Sequence, residues 1–174
     1  MGRITYLRFA FSLFFRDTIT STVHVVFSLF FAYCVILGTY SVRIQKAPTD
    51  LSSIDLFRNS PYLVLIVSGA ALVFMAIVKI TGRASDTGIM MAVGGNRTGC
   101  VRLQLSELWI LHTLGFLLAA TVSILLPPGN PETVSILDTL YAYLLELTLL
   151  GTSGAIVAYI HTLVDPYRSI RSGK

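Results

Sequence analysis

The chain has 174 residues, of which 54% are hydrophobic and 13% charged, and its mean hydropathy is +0.74. The charged share is about half that of an ordinary soluble domain, which excludes a water-exposed globule and makes the membrane class the first expectation. The net charge of +4 is modest and points to no nucleic-acid partner; in a membrane chain the placement of lysine and arginine carries the information.

Residues 1–20 form the first element. Arg8, Ser12 and Arg16 recur at intervals of four and so share one helical face, while Leu7, Phe9, Phe11, Leu13, Phe14 and Phe15 cover most of the rest. This pattern predicts an amphipathic interfacial helix that feeds the first span. No small-residue cleavage site follows the first apolar run, so it is not read as a signal peptide.

Crossing the hydrocarbon core takes about 20 apolar residues in a helix, and four stretches qualify. They are 21–42, 61–81 with Pro61 at its first position, 105–126 closed by Pro127 and Pro128, and 136–163 closed by "VDPYR". Loops of 43–60 and 127–135 lie on one side; the segment 82–104 and the tail 164–174 lie on the other. No alternating strand pattern of a barrel is visible, so the expected fold is an all-α integral membrane protein: one interfacial helix plus four transmembrane helices.

Orientation follows from the basic residues. The N-terminal piece, the 82–104 side and the tail together carry ten: Arg3, Arg8, Arg16, Lys79, Arg83, Arg97, Arg102, Arg168, Arg171 and Lys174. The opposite side carries three, Arg43, Lys46 and Arg58. Ten against three places both termini and 82–104 in the cytoplasm. The sequon at Asn96–Thr98 then faces the cytoplasm and carries no glycan. Cys34 and Cys100 lie in different kinds of segment and suggest no disulfide framework.

Catalytic chemistry is not legible. "GGNRTGC" has Gly94 and Gly99 at P-loop spacing, but Cys100 stands where a phosphate-binding lysine is required. There is no metal-ligand spacing and no nucleophilic triad. His24, His112 and His161 fall on three different spans and read as inter-helix hydrogen-bonding residues. Two carboxylates lie in spans, where they are costly unless paired, protonated or near water. Glu107 is close to the cytoplasmic end, within reach of water or Arg102. Glu146 is deeper, and reads either as a functional carboxyl or as packing glue. In the fourth span the pairs Gly151/Ala155 and Gly154/Ala158 form a smooth face for a second helix, from this chain or another copy.

Within 82–104, "ASDTGIMMAVGGN" predicts a short helix. Ser85 or Asp86 is the expected N-cap, Ile89, Met90 and Val93 form an apolar side, and Gly94 or Gly95 is the stop. A short helix outside the membrane with an apolar, methionine-bearing side calls for a groove. The segment resembles the one after the second helix in FtsX/MacB-type permeases, the type VII ABC transporters. There a run R-x-x-E-I-G-(I/L)-x-x-A-(L/V)-G-(A/G) precedes a basic helix leading into the third span. Arg83, Asp86, Gly88, Ile89, Ala92, Val93, Gly94 and Gly95 match it, with Asp86 for glutamate and Thr87 for isoleucine, and Arg97, Arg102, Leu105 and Glu107 continue the match. The stretch "LRFAFSLFFRDTITSTVHVVFSLFFAYCVIL" resembles the family's amphipathic entry helix running into the first span, and "DPYRSIR" resembles its closing segment. The chain departs from the family in having only 43–60 where a large folded extracytoplasmic domain usually stands, and in lacking a Y-P-A element near Tyr159–His161.

The resemblance implies a non-catalytic permease subunit in a bacterial cell membrane. It implies separate ABC ATPase subunits that bind ATP and magnesium, with no cofactor in this chain. It also implies a second permease chain, identical or related, with room for an extracytoplasmic partner, and a hydrophobic or amphiphilic substrate such as a lipid or peptide. Arg83, Asp86, Gly88, Ile89, Met90, Val93, Gly94, Gly95 and Arg97 become the expected coupling residues toward the ATPase. Arg102 and Glu107 become those toward the third span. The rival expectation is a four-span membrane adaptor or scaffold with no transport role. A proton-coupled carrier using Glu146 calls for more intramembrane polar residues than the linear sequence displays.

Overall fold

A computed structural model of the chain describes residues 4–44, 60–125 and 134–163. The regular structure of these residues is helical: α1 Ile4–Arg16, α2 Thr18–Ile44, α3 Pro61–Gly82, α4 Ala84–Ala92, α5 Arg97–Leu125 and α6 Ile136–Leu163. Four of them, α2, α3, α5 and α6, are long and apolar enough to cross a bilayer, as a multi-pass membrane protein requires. The 43–60 and 127–135 loops fall largely, and the "DPYRSIR" tail wholly, outside the described residues.

Local chemistry accounts for the element ends. Between α1 and α2 the chain bends at Asp17 without losing its ladder, since Asp17 N–H donates to Leu13 and Ser21 N–H donates to Asp17. Pro61 opens α3, where its missing N–H costs nothing. Ser135 caps α6: its hydroxyl accepts from Leu137 N–H, and Asp138 accepts from Ser135 N–H at 2.9 Å, a reciprocal capping box. Arg43 at the end of α2 donates to both oxygens of Asp138 at 3.0 Å and ties the two helices together there.

Two sequence expectations are corrected at α4 and α5. Neither Ser85 nor Asp86 caps α4; Arg83 holds that position and Asp86 sits in the first turn, its carboxylate drawn instead to the Arg83 guanidinium. The third long helix also starts earlier than 105. It runs unbroken from Arg97, because the mixed segment 97–104 continues the helical ladder before the apolar run begins. The stop of α4 is as expected. Gly94 has φ +87°, Gly95 N–H donates to Met90 O and Gly94 N–H to Met91 O, a Schellman closure that glycine accommodates without strain.

The long helices form a four-helix bundle. α2 packs on α3 and α5, α6 closes the other side against the same two, and α2 and α6 also meet across the middle. The core joins Ile36, Leu72, Ile80, Leu108 and Leu150, all essentially sealed. Large apolar side chains such as Phe30, Phe74, Leu117 and Ile156 point outward, where a bilayer supplies apolar solvent. Close approach depends on small residues. A Cβ at Gly115 would lie 2.6 Å from Ser28 Oγ, so α2 and α5 can approach this closely only at glycine. The small-residue face of α6 is spent inside the chain: Gly154 meets Leu105 and Leu108 of α5 and Ile80 of α3, and Ala158 is sealed in the core. Gly151 and Ala155 are half-buried, with Gly151 beside Trp109.

α1 lies along α5. Ala10 and Leu13 pack with Leu103, and Met90 and Ile110 border the cluster. Its Arg8, Ser12 and Arg16 are exposed, as are Phe11 and Phe15.

Candidate functional site

The charged end of the bundle is organised around Arg83. Its guanidinium reaches Asp17 at 2.7 Å, Asp86 at 2.9 Å and Glu107 at 3.1 Å. Lys79 Nζ shares the Glu107 carboxylate at 3.0 Å. The hub therefore joins the α1–α2 junction, the end of α3, α4 and α5. Burial opposes the charge on Arg83, but Glu107, Asp86 and Asp17 outweigh it and hold the guanidinium above its ordinary range. The partners of Glu107 are thus Lys79 and Arg83, where the sequence suggested water or Arg102. The reason is geometric: Lys79 and Arg83 are four apart on one helical track, and α3 and α5 bring that track to Glu107 only in three dimensions.

α4 hangs from this hub with one side pinned. Thr87 and Gly88 are buried, Thr87 accepts a hydrogen bond from Gln104 Nε2, and Met90 packs toward Leu103 and Leu13. The apolar side expected from sequence is therefore divided. Met90 is half-buried against the Ala10, Leu13 and Leu103 cluster, while Ile89 is 49% exposed and Val93 81% exposed. Those two are four apart, so they present one outward apolar stripe. Gly94, Gly95, Arg97 and Arg102 are exposed around it.

A second constellation lies deeper. His112, sealed in α5, accepts or donates through Nδ1 to Ser28 Oγ at 2.9 Å and Glu146 Oε1 at 3.1 Å. Its Nε2 lies 3.1 Å from Nε2 of His24, and the two rings meet edge to face. Glu146 Oε2 and, nearby in α2, Ser21 Oγ are buried without a hydrogen-bond partner among the described residues. The sequence names His24 and His112 as inter-helix bonding groups and Glu146 as either a functional carboxyl or packing glue; their convergence is not legible there, because residues 88 and 34 positions apart carry no shared spacing. His161, near the other end of α6, takes no part. Among the described residues no three side chains are placed to hold a metal ion.

Part of the hub and, from the deeper constellation, His24 border one cavity of about 830 Å³ between α2 and α3. Arg16, Asp17, Lys79 and Arg83 stand at its charged end, Phe27 and Phe74 line its apolar reach, and His24 forms part of its wall. A second hollow of about 240 Å³ lies under α4, between Leu13, Ile89, Met90 and Glu107. Comparison with protein-family models, curated proteins and solved structures gives no match.

Proposed function

We propose that the chain is the membrane-spanning permease subunit of a bacterial ABC transporter of the FtsX/MacB type, driven by separate ATPase subunits. The observation that carries this reading is the outward stripe of Ile89 and Val93 on α4. A helix pinned on one side by Thr87, Gly88 and Met90 and apolar on the other is built to enter a partner's groove. The resemblance of 83–95 to the family's coupling segment names that partner as an ATPase. The hub supplies the transmission: a tilt of α4 pulls on Asp86 and Arg83, and through them on Asp17 at the root of α2 and on Glu107 in α5. The cavity between α2 and α3, charged at one end and aromatic along its length, suits a lipid or amphipathic peptide taken laterally. In this reading both termini and α4 are cytoplasmic, and a second permease chain completes the unit.

The test is co-purification of the permease with its ATPase. Val93→Asp places a charge that docking must desolvate without a partner, which costs several kcal/mol. About 4 kcal/mol corresponds to roughly a thousandfold in affinity. Because Val93 is exposed, the variant should fold and reach the membrane while losing the ATPase. A stoichiometric ATPase retained by both Ile89→Asp and Val93→Asp would reject α4 as the docking element. Failure of the wild-type chain to retain any ATPase would favour the adaptor reading.

A further inference from the structure

We propose that His24, His112 and Glu146 form a proton-binding relay loaded from the cavity between α2 and α3, with the Glu146 carboxyl as the site of protonation. The Nε2 atoms of His24 and His112 are 3.1 Å apart, so one of them must carry a hydrogen and the other a lone pair. His112 Nδ1 faces Glu146 Oε1 at 3.1 Å, so the same condition applies there. With the carboxyl hydrogen, when present, on Oε1, two arrangements satisfy both contacts with neutral rings. In the unloaded state His24 Nε2–H donates to His112 Nε2, and His112 Nδ1–H donates to the Glu146 carboxylate. In the loaded state Glu146 Oε1–H donates to His112 Nδ1, and His112 Nε2–H donates to His24 Nε2, leaving the hydrogen of His24 on Nδ1.

The two states differ by one proton. It enters at His24 Nδ1, the ring nitrogen that the pair leaves over, on a side chain that lines the cavity. The Nε2 hydrogen of His24 passes to His112 Nε2, and the Nδ1 hydrogen of His112 passes to Glu146 Oε1. Two imidazole tautomers exchange, no ring becomes charged, and the carboxylate is neutralised. The route is short. His24 lies six residues into α2, about 9 Å along its axis, and His112 lies five residues beyond Glu107 of the hub, about 7.5 Å.

The surrounding groups are consistent with a relay entered from one side. From α3, Lys79 stands beside the cavity with Arg83 beyond it; from the α1–α2 junction come Arg16 and Asp17; from α4 comes Asp86. On α5, Glu107 is occupied by Lys79 and Arg83. On α6, Tyr143, three residues before Glu146, is engaged with Thr113. Ser28 is the competing partner of His112 Nδ1, and a hydroxyl can serve either tautomer. The relay joins α2, α5 and α6, so its loading changes a charged contact between three of the four long helices.

The test is nitrogen NMR of the intact chain in lipid nanodiscs, with ¹⁵N-labelled imidazoles and His161→Gln to leave only the two buried rings. The titration runs from about pH 5 to about pH 10, which brackets histidine and a buried carboxyl. The expected result is a tautomer exchange at His112, from Nδ1–H at high pH to Nε2–H at low pH, with the opposite exchange at His24. Glu146→Gln cannot take up a proton and should hold both rings in one tautomer at every pH. Ser28→Ala should retain the exchange. The proposal is overturned by pH-independent tautomers in the otherwise unaltered chain, by an imidazolium signal in place of tautomer exchange, by an exchange that survives Glu146→Gln, or by its loss in Ser28→Ala. The first two readings need no variant at the relay, so a poorly folding Glu146→Gln leaves the decision intact.

Discussion

Replacing Glu107 with glutamine removes the carboxylate that, among the described residues, holds both Lys79 and Arg83. The three side chains are 5%, 8% and 11% exposed, so their charges are screened little by water. At 3.0 Å for Lys79 and 3.1 Å for Arg83, and an effective dielectric of 20, each contact is worth about 5.5 kcal/mol of gross attraction. Most of that is offset by desolvation in the intact pair, but removing one partner leaves the desolvation of the other uncompensated, at about 3–5 kcal/mol. The two cations fare differently. Arg83 keeps Asp17 and Asp86, whereas the contact with Glu107 is the ion pair that Lys79 makes among the described residues. Glu107→Gln should therefore destabilise the bundle by about 3–5 kcal/mol, and Lys79→Met added to it should recover most of the loss. Arg16→Gln is the control. Its contact with Asp86 is 3.4 Å long, with side chains 60% and 44% exposed, and such a pair is worth about 0–1 kcal/mol. The assay is reversible unfolding in mixed micelles followed by circular dichroism, analysed as a double-mutant cycle of Lys79 and Glu107. If Glu107→Gln stays within about 0.5 kcal/mol of wild type, the ordinary range for an unremarkable surface change, or if the cycle shows no coupling, the hub is not a buried electrostatic joint.

Other substitutions separate fold from docking. Met90→Asp should lower the stability of the chain itself, because Met90 packs toward Leu103 and Leu13, while Val93→Asp should leave unfolding within about 0.5 kcal/mol of wild type. Gly115→Ala should cost about 1–3 kcal/mol by overpacking, since the new methyl would sit 2.7 Å from Ser28 Cβ and 3.1 Å from Leu29 N; an unchanged melting curve would refute the close α2–α5 approach. Gly94→Ala should cost about 1–2 kcal/mol from its left-handed backbone, with open space for the methyl itself, and Gly94→Asn should cost less. Topology is best read with Thr98→Cys in a chain lacking Cys34 and Cys100, because Cys100 is only 2% exposed and a poor reporter. An impermeant thiol reagent should label Thr98→Cys only after intact cells are opened, and labelling from outside would reverse the orientation.

The sequence by itself determined the class of the fold and most of its elements. Four apolar runs of bilayer length can be satisfied only by helices, and Pro61 and Gly94 with Gly95 mark ends by rules that act within a few residues. The short helix before Gly94 was legible for the same reason. Its two faces were not: Ile89, Met90 and Val93 are alike in hydropathy, and only the packing of α1 against α5 turns Met90 inward and leaves Ile89 and Val93 outside. The N-cap was misread because Asp86 had a stronger partner in Arg83 than a backbone N–H. The tertiary structure alone decided the polar sites. Asp17 comes from the α1–α2 junction, Lys79 from α3, Arg83 from the α3–α4 junction and Glu107 from α5, while His24, His112 and Glu146 lie on three different helices, and no local periodicity encodes such meetings. Hydropathy reports the cost of placing each polar group in a span; which neighbour offsets that cost depends on how the helices pack, here on small residues such as Gly115 that let α2 reach α5.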